Sequence, residues 1–179
     1  MQVIKIKDNI YWVGAIDWEL RNFHGYLTQR GSSYNAYLII DDKITLIDSV
    51  KSYLTDFMLA RIKSIIPLEK IDYVICNHVE MDHSGAIPAV MSAAKNAVLL
   101  TSPNGEKGLK QHYNTVGWNF RTVKTGETLN TGKYNFSFVL TPMVHWPDNM
   151  VSYLKEENVL FSNDAFGQHL CFTKRLDSE

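Results

Sequence analysis

The sequence predicts an α/β (α+β) protein built as an αβ/βα sandwich, two stacked mixed sheets flanked by helices. Three observations lead there. Short strand-like runs open the chain, apolar runs alternate with helical patterns through its middle, and strand-like runs return beyond Thr128. Such an order calls for two sheets with helices packed on them, because every apolar face must be buried against another layer.

Residues 2–7 alternate apolar and polar side chains and, with 10–14, read as hairpin strands. Further strands are expected at 34–41 and 43–48, joined by a tight connection at Asp41-Asp42. Leu54, Phe57, Met58, Ile62 and Ile65 recur at helical spacing, which predicts a helix over 51–65 with one buried face, stopped by Pro67. A strand at 71–76 leads into a polar loop and a short helix near 87–94. Then come a strand at 97–101, a helix over 103–113 opened by Ser102-Pro103, and a strand at 119–123. Strands return at 134–140, 150–154 and 159–162, the last two joined by a turn at Glu156-Glu157-Asn158. No internal repeat, linker or low-complexity segment interrupts this order.

Chemistry concentrates in the loop after the 71–76 strand. His78-Val79-Glu80-Met81-Asp82-His83 places four metal-binding side chains within six residues. In an extended segment residues two apart point the same way, so His78 and Glu80 can face one ion while the turn at Asp82 and His83 serves a second. Singly, such residues are ordinary solvated loop residues; four in six directly after an apolar strand form a metal-binding pattern. His145 and Asp164 stand beyond later strand-like runs, where a rigid sheet presents its functional groups. Together the six supply three imidazoles and three carboxylates. This donor set is harder and more anionic than the thiolate-rich sets of structural zinc, and suits iron or manganese.

The pattern His-x-Glu-x-Asp-His, a histidine 62 residues on and an aspartate 19 beyond it, resembles that of the flavodiiron proteins, also called A-type flavoproteins. The likeness extends to Asn22-Phe23-His24-Gly25-Tyr26, Leu46-Ile47-Asp48-Ser49, Ser84-Gly85-Ala86-Ile87-Pro88, His145-Trp146-Pro147-Asp148 and Ser162-Asn163-Asp164-Ala165-Phe166-Gly167, and so spans nearly the whole chain. It implies a metallo-β-lactamase-like diiron domain over 1–179, with Glu80 where hydrolases of that fold carry a second histidine. The implied centre is two iron ions bridged by hydroxide and by Asp164. His78, Glu80, His145 and Asp164 would hold the first ion, and Asp82, His83 and Asp164 the second. Family members carry one more ligand histidine, and then a flavodoxin-like domain that binds FMN, past the position of residue 179. The chain is therefore expected to be the N-terminal part of that arrangement, its domain C-terminally incomplete.

The activity implied by the resemblance is reduction of dioxygen to water, or of nitric oxide to nitrous oxide, with electrons from the FMN domain and rubredoxin as a candidate donor. A head-to-tail dimer, with the flavin of one subunit near the metals of the other, is implied for full-length relatives. His24 and Tyr26 occupy a place that in the family reaches over the open face of the metals, and are the candidate catalytic residues. Two competing readings are a zinc-dependent hydrolase of the same fold and a truncated metal-binding fragment without activity of its own. Glu80 weighs against the hydrolase, since a second anionic ligand makes a bound water less acidic.

Other residues carry structural expectations. Asp48 reads either as the hydrogen-bond partner of a ligand histidine or as a carboxylate near a helix N-cap. Trp12, Trp18, Trp118 and Trp146 are expected in the core, with Trp146 also placed to shield the pocket. His112 belongs to the surface of an amphipathic helix, and His169 matches the family's local sequence without being one of its ligands.

Composition narrows the classes further. With 179 residues, 45% of them hydrophobic and 12% aromatic, the chain can build one domain with a real core. Eighteen basic against nineteen acidic residues leave a formal charge of −1 with no basic cluster, so nucleic acid is not an expected partner. No run reaches the roughly 20 apolar residues that span a bilayer, and the alternating start is unlike a signal peptide. No membrane association and a cytoplasmic location are expected. Cys76 and Cys171 are too few for a disulfide framework and read as reduced structural thiols.

Overall fold

In the computed structural model, which describes residues 3–173, a seven-stranded sheet and a four-stranded sheet stack face to face. The large sheet starts with β1 (Ile4–Lys7) and β2 (Ile10–Trp12). Two small hairpin pairings follow, β3 (Ala15–Asp17) with β6 (Ser32–Tyr34) and β4 (Asn22–Phe23) with β5 (Tyr26–Leu27). The chain then returns to the large sheet with β7 (Tyr37–Ile39) and β8 (Ile44–Ile47).

Three crossovers complete that sheet. Helix α1 (Thr55–Lys63) leads to β9 (Ile71–Ile75), α2 (Met81–Ser84) and α3 (Ile87–Ala93) lead to β10 (Val98–Thr101), and α4 (Pro103–His112) leads to β11 (Asn119–Thr122). The strand order is β1-β2-β7-β8-β9-β10-β11, antiparallel as far as β8 and parallel from β8 to β11. Parallel strands need long crossovers, and these deliver the helices to the sheet. The second sheet is an antiparallel meander of β12 (Thr128–Asn130), β13 (Asn135–Leu140), β14 (Met150–Leu154) and β15 (Val159–Phe161).

Two cores follow from these layers. On one face of the large sheet Leu38, Leu46, Val74 and Leu99 pack against Met58, Ile62, Val90 and Leu109 of the helices. On the other face Ile39, Ile47, Ile75 and Leu100 meet Phe136, Phe138, Met150 and Leu154 of the small sheet. Strands buried on both faces explain why 73–76 reads as a continuous apolar run. The outer face of the small sheet, with Val139 and Leu160 exposed, carries no helix among the described residues. Asp41 ties the two sheets together at their far end: its carboxylate accepts hydrogen bonds from Thr131 Oγ1 (2.8 Å), Tyr134 N (2.9 Å) and Lys133 N (3.1 Å) in the β12–β13 turn.

Several expectations need correction. The strand expected over 34–41 is two strands, because β6 pairs with β3 whereas β7 pairs with β2, and the chain changes sheet at Asn35-Ala36. The helix expected over 51–65 starts later, as a 3₁₀ turn over Ser52–Leu54 precedes α1. The hairpin pairings β3/β6 and β4/β5, strand β12 and helix α2 were not anticipated. Trp18 is exposed rather than in the core, since Asp17 Oδ1 accepts from Glu19 N and Leu20 N and turns the chain outward there. Of the strand expected over 2–7, residue 2 lies outside the described residues. Cys76 and Cys171 form no disulfide among the described residues, and both are buried. Among the described residues no helix is long and apolar enough to cross a membrane.

Candidate metal centre

The loop bearing His78 to His83 leaves β9 where the parallel strands end, and buried polar contacts set its path. Asp48, at the end of β8, accepts hydrogen bonds from Asn77 N (2.7 Å) and Asn77 Nδ2 (3.0 Å). It therefore clamps the residue before His78, and is neither the partner of a ligand histidine nor a helix cap. Ser152 Oγ of β14 donates to Asn77 Oδ1 (2.6 Å), so the small sheet also holds the loop. Glu80 is extended and its carbonyl starts α2, accepting from His83 N and Ser84 N. The far end of α2 presses on the chain after β8: a Cβ on Gly85 would stand 2.6 Å from Ser52 N and 2.5 Å from Met81 O. Only glycine permits that approach.

The other contributors come from loops of the small sheet. His145 lies between β13 and β14, in a segment pinned by Trp146 N donating to Asn149 Oδ1 (2.8 Å). The first turn of α4 holds the same segment, with Ser102 Oγ donating to Asp148 O (2.6 Å) and Asn104 Nδ2 to Pro147 O (3.1 Å). Asp164 follows β15, where Asn163 takes positive φ and accepts from Asp164 N (2.6 Å). His24, Asp48, Met143, Asn163 and Phe166 all have positive φ and all lie in loops around this place. Such conformations cost about 1–3 kcal/mol each and persist where surrounding structure imposes them.

These loops converge. His78, Glu80, His145 and Asp164 each turn a nitrogen or oxygen into one cluster, and Asp82, His83 and Asp164 do so in a second, with the donor atoms of each cluster within 4.8 Å of one another. Asp164 belongs to both. Its Oδ2 lies 3.5 Å from His78 Nε2 and 3.4 Å from His145 Nε2, while its Oδ1 lies 2.7 Å from His83 Nε2. Glu80 Oε2 is 3.2 Å from His78 Nε2 and 3.3 Å from His145 Nε2. Donor separations of this size are those around an ion bound at about 2.0–2.2 Å.

Electrostatics fit cations at both clusters. Burial pushes the Glu80 carboxyl up, but hydrogen bonds with His78, His24 and His145 outweigh it and hold it at about 2. Burial acts downward on His78 and His83, yet the carboxylates around them prevail. Asp148 and Glu80 bring His78 up to about 9, and Asp164 with Asp82 brings His83 up to about 9. Asp82 is raised, by burial first and then by Glu80 and Asp164. Its Oδ1 is buried without a hydrogen-bond partner among the described residues. Buried carboxylates are ordinarily satisfied, and Asp82 Oδ2 lies 3.6 Å from His83 Nε2, so an ion held between them would give this carboxylate a partner.

A cavity of about 580 Å³ opens above the clusters, lined among others by His24, Tyr26, Asn35, Tyr37, Phe166 and His169. His24 Nε2 makes a short contact with Glu80 Oε1, the oxygen facing away from His145. Tyr26 is exposed at the rim. His169 Nδ1 is hydrogen bonded to Ser32 Oγ (3.3 Å) and joins neither cluster. His112 is exposed on α4. Trp146 packs edge-on against His78, with ring centroids 5.1 Å apart. In the sequence Asp148 and Asn163 have only a place in the resemblance, and Asn149 not even that. Their neighbours His145 and Asp164 drew the attention, and only the tertiary contacts show what these three hold.

Comparison with known proteins shows what the chain is similar to. The family model for the ODP family beta lactamase matches residues 33–176. A nitric oxide reductase of Moorella thermoacetica is 44% identical over 99% of this chain and 45% of its own length. A rubredoxin-oxygen oxidoreductase of Megalodesulfovibrio gigas is 45% identical over 100% of this chain and 45% of its own length. The crystal structure of the flavodiiron protein from Giardia intestinalis superposes with a TM-score of 0.96 at 39% identity, covering 99% of this chain and 44% of that one. The chain thus spans a little under half the length of the relatives it matches.

Proposed function

This chain belongs to the ODP family of beta-lactamase-like domains, and from that membership and the two donor clusters we propose that it holds two iron ions as the diiron part of a flavodiiron oxygen or nitric oxide reductase. One observation carries the reading. Asp164 directs one carboxylate oxygen to His78 and His145 and the other to His83, which is the arrangement a bridging carboxylate needs to hold two ions side by side.

In this reading His78, Glu80, His145 and Asp164 hold the first ion, and Asp82, His83 and Asp164 the second. Two ferrous ions supply two electrons at one place to a small diatomic molecule such as dioxygen or nitric oxide. The residues around them decide what reaches that place and where protons sit. Glu80 contributes charge to the first ion through Oε2 while Oε1 engages His24 Nε2. His24 thereby fixes the carboxylate's rotation and stands in the cavity wall with an imidazole able to deliver a proton to a reduced product. Tyr26 offers a hydroxyl at the rim. Electrons are expected from an FMN-binding flavodoxin-like domain and rubredoxin, in keeping with the name of the Megalodesulfovibrio relative. The domain assignment over 1–179, a head-to-tail dimer in the full-length protein and a cytoplasmic location belong to the same reading.

The test is metal binding followed by reaction. Chain reconstituted anaerobically with ferrous iron is expected to retain two irons per chain and, once mixed with oxygen or nitric oxide, to oxidise within a single turnover. Preferential retention of two zinc ions, with hydrolysis of an ester or lactam, would establish the hydrolase instead. Failure to bind metal would overturn the reading.

A further inference from the structure

Of the three histidines facing the clusters, His78 is the one whose Nδ1 is bonded to a carboxylate among the described residues. That nitrogen lies 2.9 Å from Asp148 Oδ2, whereas His83 Nδ1 is buried without a partner. The same Asp148 oxygen accepts Val79 N at 2.8 Å. Asp148 is itself buried, and its backbone is held from the α4 side by Ser102 Oγ. A buried anion has thus been placed, by three elements of the fold, directly behind the ring that faces the first cluster.

We propose that Asp148 is a positioning residue that strengthens the first metal site beyond the advantage its four donors against three already give it, an inference that rests on the metal-centre reading above. A carboxylate accepting from Nδ1–H keeps the proton on that nitrogen, leaves Nε2 free as a donor to the ion and increases the electron density it gives. Among the described residues His83 Nδ1 receives no such hydrogen bond, and the buried Asp48 acts on its ring only through space. The first ion is therefore the more tightly bound and the more strongly biased toward its oxidised state, while the second is the weaker and more easily reduced. The asymmetry lies in the protein and precedes any contribution from a flavin.

The hydrogen-bond geometry gives a clean way to separate charge from shape. Because one oxygen of Asp148 accepts from both His78 Nδ1 and Val79 N, the carbonyl of an asparagine could keep both bonds, and Val79 N–H would hold that carbonyl in place. Asp148→Asn should fold as the native chain does while losing the negative charge; Asp148→Ala loses both charge and bonds.

Ferrous iron binding to native chain, Asp148→Asn and Asp148→Ala would be measured by competition with a chelator, together with the potential of the iron-loaded centre. The imidazole tautomer would be read by ¹⁵N NMR on zinc-loaded chain. Expected are two unequal sites in the native chain and roughly a 10- to 100-fold weakening of the tighter one in Asp148→Ala. Asp148→Asn should weaken it less, shift the potential of one iron upward, and preserve the Nδ1–H tautomer. Native chain with two equal sites, or an Asp148→Asn variant with unchanged affinities and potential, overturns the inference and leaves the metal-centre reading standing. Native chain that takes up neither iron nor zinc overturns both.

Discussion

Asn149 Nδ2 donates a 2.9 Å hydrogen bond to Asn163 Oδ1, and this contact joins the loop bearing His145 to the loop bearing Asp164. Asn163 also donates from Nδ2 to Met150 O (2.7 Å) and takes a φ of 45°, a conformation asparagine tolerates better than alanine. Asn163→Ala is expected to lower stability by about 1–3 kcal/mol, from lost buried hydrogen bonds and added backbone strain. It should also weaken binding of metal at both clusters. Thermal melts and chelator competition check this; unchanged values in both would show that the two loops hold themselves in place.

Asp164 and His145 should differ in what their loss removes. Because Asp164 is shared, Asp164→Ala is expected to reduce metal content at both clusters, whereas His145→Ala should leave one ion bound at Asp82 and His83. Metal analysis after gel filtration distinguishes them. Equal losses would argue against a bridging role.

Binding should depend on pH with a defined sign. In the metal-free protein His78 and His83 are raised from 6.5 to about 9. Their favourable contribution to folding is fully present below about pH 6.5 and is lost as pH rises through about 9. Metal ions compete with those same protons, so affinity should climb as pH increases toward about 9 and then level off. Calorimetry at pH 7 in two buffers of different ionisation enthalpy should register about two protons released as the centre fills. An affinity independent of pH between 6 and 9 would contradict the assignment of these two imidazoles.

Far from the metals, Asp41 offers a control for stability alone. Its ionised carboxylate accepts three hydrogen bonds from the β12–β13 turn, and although burial opposes ionisation, the bonds from Tyr134 N, Thr131 Oγ1 and Lys133 N hold its carboxyl below the usual range. Asp41→Ala is expected to destabilise the fold by about 1–3 kcal/mol, with metal content unchanged. In the native chain this contribution is present above about pH 4 and disappears as the medium is acidified past the depressed carboxyl value. Denaturant titrations at pH 7 and pH 3 would show the difference between native and variant shrinking at the lower pH.

How much of this was legible in the chain depended on the range of the signal. Strand β9 and the parallel strand β10 announce themselves as apolar runs because both of their faces are covered. Helix α4 is marked at its start by Ser102-Pro103, and Ser102 Oγ does accept from Gly105 N at 2.9 Å. The β3/β6 and β4/β5 pairings involve only two or three residues per strand, too few for alternation to show. The clustering of His78 to His83 is written in the sequence itself. That His145 and Asp164 come to the same place could be read only through resemblance, since a spacing of 62 or 19 residues carries no geometry. Asp148 takes the role that local reasoning gives to Asp48. Leu-Ile-Asp-Ser suggested a partner for a histidine, yet Asp48 holds Asn77 and Asp148 holds His78. Nothing short of the packed fold distinguishes one from the other.

The two clusters draw on both stacked sheets, since His78 to His83 follow β9 of the larger one while His145 and Asp164 flank strands of the smaller. An ion seated there works as a rivet through the seam between the layers, at the end opposite Asp41. Stripping it with a chelator should let that end of the seam gape, so the depleted chain would be cut by thermolysin first in the β13–β14 connection, at the exposed Met143 and Val144, long before the helix-covered side yields.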